Sequence, residues 1–257
     1  MKIAALYDIH GNLPALNAVL AELEAARPDL IVVGGDIVSG PMPRQTLERL
    51  SQLGAQVRAI RGNGDREVVT AFDGQPLSPD LPAEVREITH WVAGQLTRAQ
   101  RDFLAALPLQ LALQVERLGE ILFCHATPRS DEEIFTPITP EERLGTIFSG
   151  VEQEIVVCGH THIQFERCVG HVRIVNAGSV GMPYADRPGA YWLLLGPQGY
   201  EHRRTEYDTE ATARAIQASG YPQARDFAAE NVLSVPTAGE ATDIFERMAE
   251  VRWSRGG

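Results

Sequence analysis

Five short, mostly apolar runs in this chain each end in side chains that can bind a metal ion. Residues 3 to 7 lead into Asp8-Ile9-His10, residues 30 to 33 into Gly34-Gly35-Asp36, and residues 56 to 60 into Gly62-Asn63-Gly64-Asp65. Further on, 121 to 124 lead into His125, and 155 to 158 into Gly159-His160-Thr161-His162. Short apolar runs bounded by glycine read as buried strands. Between the first three lie segments with helical spacing: 12 to 26, with Leu13, Leu16, Val19, Leu20 and Leu23, and 43 to 53. Strands alternating with helices predict an α/β fold with a largely parallel sheet covered on both faces. In such sheets ligands bind beyond the carboxyl ends of strands, so the five run ends bring their polar side chains to one rim. Gly11, Gly34, Gly35, Gly62, Gly64 and Gly159 flank them, as tight turns and close backbone approach require.

Elsewhere, residues 66 to 107 read as helices interrupted at Pro76, Pro79 and Pro82. Short strands return at 110 to 115, 120 to 124 and 154 to 158, then in a hairpin across 165 to 175 turning at Gly170. Two more, 190 to 195 and 200 to 205, flank the turn Gly196-Pro197-Gln198-Gly199. Residues 209 to 219 and much of 222 to 250 are amphipathic helix, and the tail over 252 to 257 is expected to fray. No repeat or linker divides the chain. One domain over 1–257 is expected, with a core over about 1–205 and a helical C-terminal extension over about 206–257.

Composition narrows the partners. The formal net charge is −11, and only Arg203-Arg204 pairs two basic residues, which argues against gripping long nucleic acid. No apolar run approaches the roughly 20 residues of a membrane helix, and the N-terminus reads as a first strand rather than a secretion signal. Cys124, Cys158 and Cys168 are too few and scattered for a disulfide framework, so a reducing cytoplasm is expected. In an acidic chain a phosphorylated substrate must be attracted locally, and bound cations do that.

Imidazole with carboxylate suits a borderline or hard divalent ion. Manganese is the first expectation, with iron, zinc, nickel or cobalt as alternatives. A carboxylate such as Asp36 can bridge two ions, which about 3.5–4 Å apart clamp the attacking and leaving oxygens of an in-line displacement. Singly, each histidine reads as hydrogen-bonded at a turn, and Asp8 or Asp36 as a helix cap or turn former. In order, each after a strand, they read as ligands.

With these motifs the sequence resembles the calcineurin-like metallophosphoesterase family: Asp8-x-His10, Gly35-Asp36, Gly62-Asn63-x-Asp65, His125 and Gly159-His160-x-His162 match in order. Asn176-Ala177-Gly178-Ser179-Val180-Gly181 is similar to the Asn-x-Gly-Ser motif of its small prokaryotic phosphodiesterase branch. The resemblance spans roughly 1–205 and implies a four-layer α/β/β/α sandwich of two mixed sheets. It implies that Asp8, His10, Asp36 and His162 hold one metal, and that Asp36, Asn63, His125 and His160 hold a second. Asp36 would bridge, and a metal-bridging hydroxide would attack phosphorus. Asp36, Asn63, Asp65 and His125 are the implied catalytic set, with Asp65 orienting a ligand histidine. Many members carry a histidine where this chain has Gly64. General acid catalysis contributes about 10²–10⁴-fold, so Gly64 shifts the expectation from a general phosphatase toward a phosphodiester or nucleotide (poly)phosphate substrate.

Contacts to that substrate are expected from Asn63, from Arg129 on the loop after His125, and from Tyr184 and Arg187 beyond the Asn-x-Gly-Ser motif. For Arg129 the competing reading is a surface ion pair with Asp131 or Glu132. Cys124 and Cys158 read as small core residues. Two rival functions stand. Against a phosphomonoesterase or protein phosphatase weighs Gly64; against a weakly active metal-binding regulatory protein weighs the complete ligand set. A small phosphorylated substrate, no long nucleic acid and no membrane are expected as partners. A homo-oligomer is one reading of the helices from Pro222 onward.

Overall fold

The computed structural model describes residues 1–256. The chain opens with β1 (Ile3–Leu6), α1 (Leu13–Ala26), β2 (Leu30–Val33), α2 (Pro43–Ser51), β3 (Val57–Ala59) and α3 (Asn63–Phe72). Helix α1 starts where Asn12 Oδ1 accepts the Ala15 N–H at 3.2 Å and stops at Arg27, which turns into left-handed backbone. Helices α4 (Ala83–Gln95) and α5 (Arg98–Ala105) follow, then β4 (Gln110–Val115), β5 (Gly119–Cys124), α6 (Glu141–Ile147) and β6 (Ile155–Cys158). The hairpin β7 (Gln164–Val169) and β8 (Val172–Ala177) precedes β9 (Ala190–Gly196) and β10 (Gly199–Thr205). Helices α7 (Thr209–Gln217), α8 (Ala224–Ala228) and α9 (Ala238–Gly256) close the chain.

Two five-stranded sheets form, ordered β10-β9-β1-β2-β3 and β4-β5-β6-β8-β7. Both are mixed. In the first, β1, β2 and β3 are parallel and β9 is antiparallel to β1, with Ala5 between Val32 and Leu193. In the second, β5, β6 and β8 are parallel. The two mixed sheets are those the family resemblance implies; strand–helix alternation alone reads only as a largely parallel sheet. A strand buried on both faces reads as a continuous apolar run whether a helix or a second sheet covers it, so the pattern cannot separate the two.

Side-chain alternation sorts the core into layers. Ile3, Ala5, Tyr7, Ile121, Phe123, Ile155, Val157, Val175, Leu193 and Leu195 meet between the sheets. Their neighbours Ala4, Leu6 and Trp192 face α1 and the other helices of the first half, while Leu122, Cys124, Val156 and Cys158 pack with Leu144 and Ile147 of α6. The order is α/β/β/α. Around α7 and α8 a separate cluster forms, and Met42, Ile88 and Trp91 pack against it.

Three local expectations change. Helix α3 begins at Asn63 rather than near 66, because the Asp65 carboxylate accepts the Gly62 N–H at 3.1 Å and starts the turn. Helix α6 was not anticipated. The tail expected to fray continues α9 to Gly256, with the Arg252 guanidinium donating to the Glu132 carbonyl at 3.0 Å; position 257 lies outside the described residues. No helix among the described residues is long and apolar enough to cross a membrane.

Candidate metal centre

All seven predicted ligands meet at the carboxyl ends of β1, β2, β5 and β6 and at the first residue of α3. The backbone there is forced into unusual shapes. Asp8, His10, Asp36, His160 and His162 have φ between 47° and 68°; the other described non-glycine residues with positive φ are Arg27 and Arg117. Left-handed backbone costs an L-residue about 1–2 kcal/mol, somewhat less for Asp and His. Backbone bonds hold the turns: Asp8 N–H to Gly35 O at 3.2 Å, His10 N–H to Asp36 O at 2.9 Å, Gly159 N–H to His125 O at 2.8 Å. Beneath them, the buried Tyr7 ring fills the space where a Cβ at Gly34 would lie 2.0 Å, and one at Gly159 2.5 Å, from its atoms. Any side chain at either glycine would push those strand ends apart.

Three rings are oriented identically. The Nδ1–H of His10 donates to Ser39 O at 3.0 Å, that of His125 to Gly34 O at 2.8 Å, and that of His162 to Met182 O at 2.8 Å. These carbonyls fix the tautomer, so each Nε2 lone pair points inward. Nε2 of His10 and Nε2 of His162 lie 3.1 Å apart. Asp8 Oδ1 is buried with no hydrogen-bond partner among the described residues, 3.5 Å from His162 Nε2 and 3.9 Å from those of His10 and His125. Asp36 spans the group, with Oδ2 3.7 Å from His10 Nε2 and Oδ1 3.6 Å from His125 Nε2. Two triads, Asp8–His10–His162 and Asp8–Asp36–His125, each bring their ligand atoms within 4.8 Å of one another. Lone pairs converge here without protons between them, an arrangement that a cation relieves and that little else does. The residues fit a metal.

Asn63 completes the set with His160. One terminal atom of its amide lies 3.2 Å from His160 Nδ1 and 3.3 Å from His125 Nε2. Without a cation, an amide nitrogen there would satisfy both rings; with one between them, the oxygen faces inward. Asn63 and His160 are the ligands most open to solvent.

Electrostatics follow from this packing. Burial alone would raise the Asp8 carboxyl, but His162, His125 and His10 outweigh it and hold it well below the usual carboxylate range. Burial lowers His10, assisted by His162, and brings His160 down to about 3, assisted by His125. For His125 the pull of Asp36 and Asp8 exceeds the cost of burial and raises it. Burial and then the Asp36 carboxylate push Asp65 up to about 7, against two backbone N–H donors.

Asp65 corrects one expectation: it reaches no histidine. Its Oδ1 accepts from the N–H of Ile37 at 2.9 Å and Val38 at 3.3 Å, and Oδ2 from Gly62. It ties the start of α3 to the loop that carries Asp36. His10, His125 and His162 take backbone carbonyls instead. The Asn-x-Gly-Ser motif acts likewise on other loops. The Asn176 amide donates to Gly159 O at 2.7 Å and Thr161 Oγ1 at 3.1 Å, and the Ser179 hydroxyl donates to Asp8 O at 2.8 Å. Sequence gave no role to these two side chains beyond resemblance, although a buried amide and hydroxyl within a glycine turn are a signal of loop clamping.

The expected substrate contacts divide. Tyr184 stacks on His162, ring centroids 5.1 Å apart at 26°. Arg129 pairs with Glu133 through the Nε–Nη2 edge of its guanidinium and is exposed, so its partner is neither Asp131 nor Glu132. Asp131 instead binds Arg61 at 3.1 Å and Arg66 at 3.0 Å. The Arg187 side chain is exposed and touches none of the seven ligands among the described hydrogen bonds; its carbonyl accepts from Tyr191. The position of Gly64 is closed: a Cβ there would lie 2.1 Å from Ser39 Oγ and 3.1 Å from Asp36 Oδ1. Sequence reading missed Glu67. It is buried one helical turn from Asn63 on α3, and burial followed by Asp36 raises it to about 7.

Residues 1–195 match the sequence profile of the calcineurin-like phosphoesterase superfamily domain. Phosphodiesterase YfcE of Escherichia coli strain K12 is 26% identical over 203 residues, 76% of this chain and 87% of that protein. A symmetrical bis(5'-nucleosyl)-tetraphosphatase of Klebsiella pneumoniae is 31% identical over 145 residues, 52% of this chain and 46% of that protein. Among solved structures, a metallophosphoesterase from Sphaerobacter thermophilus superposes with a TM-score of 0.71 at 25% identity, covering 90% of this chain and 99% of that one.

Proposed function

The chain belongs to the calcineurin-like phosphoesterase superfamily, and we propose that within it this protein is a dinuclear phosphodiesterase acting on a phosphodiester or a nucleotide polyphosphate. That it is a metal-dependent phosphoric ester hydrolase follows from the family and from its phosphodiesterase relatives. The observation that carries the finer reading is the convergence of three carbonyl-oriented imidazoles on Asp8 and Asp36, with two Nε2 atoms 3.1 Å apart.

Asp8, His10, Asp36 and His162 would hold one ion, and Asp36, Asn63, His125 and His160 the other. The two Asp36 oxygens, each turned to a different histidine, suit a bridge. Such ions supply Lewis acidity toward phosphoryl oxygens and a reactive water at neutral pH. The protein's part is to hold the ligands still. Asp65 locks the Asp36 loop, and Asn176 and Ser179 lock the loops of His160 and Asp8. No imidazole stands at position 64 to protonate a leaving group, and Ser39 fills the space. That favours leaving groups with low proton demand, such as the phosphate end of a polyphosphate. The named activities of the Escherichia coli and Klebsiella relatives agree with this substrate class. Manganese in the cytoplasm is the first setting to test, with residues 206–257 as an extension on a single domain.

The test is metal analysis of the purified protein coupled to a screen of diesters, monoesters, cyclic nucleotides and dinucleoside polyphosphates over manganese, nickel, cobalt and zinc. Diester turnover exceeding monoester turnover is expected. No hydrolysis of any activated diester with any metal would sink the reading.

A further inference from the structure

A cavity of about 920 Å³ opens between α3, the loop over residues 76–81 and α9. Ligand sites run to about 300–1,000 Å³. The seven ligands do not line it, yet it adjoins them. Glu67 lines it and lies one helical turn from Asn63 on α3. Arg66 lines it too and grips both Asp131 oxygens, at 3.0 and 3.1 Å, while the Asp131 carbonyl lies 3.3 Å from the Asn63 amide. Asn63 is one of the two candidate ligands partly open to solvent, and Arg66 and Glu67, on the same helix, place the cavity on its side of the centre.

Its walls carry two chemistries. One is an apolar stripe on α9: Ile244, Met248 and Val251 sit at helical spacing, 51%, 42% and 49% exposed, with Leu77 lining the same space. Contiguous exposed apolar surface on a helix marks a contact surface. The other is charged, and of both signs: Glu67, Asp80 and Glu132 line the space with Arg66, Arg247 and Arg252. Arg66 is paired with Asp131 and Glu132, whereas on the α9 side Arg247 forms no ion pair among the described residues and Arg252 makes a single bond, to the Glu132 carbonyl. In a chain of net charge −11, two guanidiniums without carboxylate partners beside an apolar stripe suit an anion joined to a flat apolar group. The wall itself is anchored. Glu246 on α9 is buried, accepts from Thr136 and from Thr139 at 2.6 Å, and pairs with Arg143. Phe245 meets Tyr184, ring centroids 5.9 Å apart, and Tyr184 stacks on the ligand His162.

We infer that this cavity is the subsite for a nucleoside-phosphate group of the substrate, distal to the phosphorus that reacts. The base lies against Met248 and Ile244, and its phosphate meets Arg247 and Arg252. This rests on the phosphodiesterase reading above, and it gives specificity to α9, an element beyond the residues 1–195 matched by the superfamily domain.

The test uses the manganese-loaded full chain, wild type, Arg247→Glu and Met248→Asp, with diadenosine tetraphosphate and bis(p-nitrophenyl) phosphate as substrates. The ratio of kcat/KM for the nucleotide to kcat/KM for the small diester is expected to fall at least about tenfold in each variant. Calorimetric titration of ADP into the same proteins reads binding without turnover, and its affinity is expected to fall in step. An unchanged ratio with unchanged ADP affinity overturns the subsite. So does a wild-type dimer that Met248→Asp splits with no change in the ratio, because the apolar stripe then joins copies of the chain. Absence of bis(p-nitrophenyl) phosphate turnover in the wild type strikes the phosphodiesterase reading instead, and ADP binding still decides the subsite.

Discussion

At the metal rim, five of the seven ligands sit in left-handed backbone and Asp8 Oδ1 is buried without a partner. Across the adjoining cavity, α9 is a regular helix, and its buried Glu246 receives Thr136, Thr139 and Arg143. The contrast separates two ways of building a site. The rim holds left-handed backbone, at a cost of up to about 5 kcal/mol over five Asp and His residues, and buried polar atoms that a cation would satisfy, a sizeable share of the stability of a domain. The helix takes on shape and charge at little cost, since its polar anchor is satisfied. Chemistry requires the first arrangement; selectivity can be carried by the second.

The harshest way to break the contrast is Asp36→Asn. It keeps the shape of the side chain and removes a charge from a cluster that also holds Asp8 and Asp65. Turnover of every substrate should fall on the order of 10³-fold, bound metal should drop, and, with both proteins stripped of metal, the variant's melting temperature should match or exceed that of wild type. Kinetics with elemental analysis and a thermal melt check it; activity within a few-fold of wild type removes Asp36 from the bridge. Chelation comes next. If the rim is held together by ions, stripping them lowers the melting temperature by roughly 5–10 °C, from about 2.7 kcal/mol of binding at a hundredfold excess over Kd. Scanning calorimetry with and without chelator reads it, and an unmoved transition would mean that the rim is stable without cations.

The helix side should respond more softly. Glu246→Gln costs about 1–3 kcal/mol, seen as faster proteolysis after α8 with the metal content intact. Burial alone would raise Glu246, but the hydroxyls of Thr136 and Thr139 and the Arg143 guanidinium hold it below the usual carboxylate range. A depressed carboxyl stabilises the folded state above its unfolded value of about 4.3 and loses that contribution as pH falls toward the folded value. Docking of α9 should therefore loosen below about pH 4.3 and hold at neutral pH, which proteolysis across pH can follow. The smallest effect is expected at Gly64. Gly64→Ala forces Ser39 Oγ aside, at about 1 kcal/mol of stability. Adding Ser39→Gly should recover most of it, and a double-mutant cycle showing no coupling would mean that the two positions do not compete.

Legibility differed along the same divide. Asp8, His10, Asp36, Asn63, His125, His160 and His162 stood out in the sequence because each follows a short apolar run, and a strand end is a local signal. Their convergence was implied by α/β topology before any distance was known. The count of sheets was legible through the ordered motifs and their family resemblance but not through periodicity, since β5, β6 and β8 read the same under a helix or under another sheet. Arg129 and Asp65 were misjudged because their partners, Glu133 on one side and the Ile37, Val38 and Gly62 backbone on the other, are chosen by loop packing. Glu67 lay hidden as one more charged residue of a helix until its burial one turn from Asn63 was known.

Residue type and order alone thus determined the candidate ligands and the α/β class, because strand, turn and helix signals act over a few neighbouring residues. Tertiary structure decided which atoms face inward: the carbonyls that set three imidazole tautomers, the Ser39 hydroxyl that closes Gly64, and the docking of α9 beside the open edge of the centre. Those depend on contacts between residues far apart in the chain, and hydrophobic periodicity carries no record of which distant group a side chain will meet.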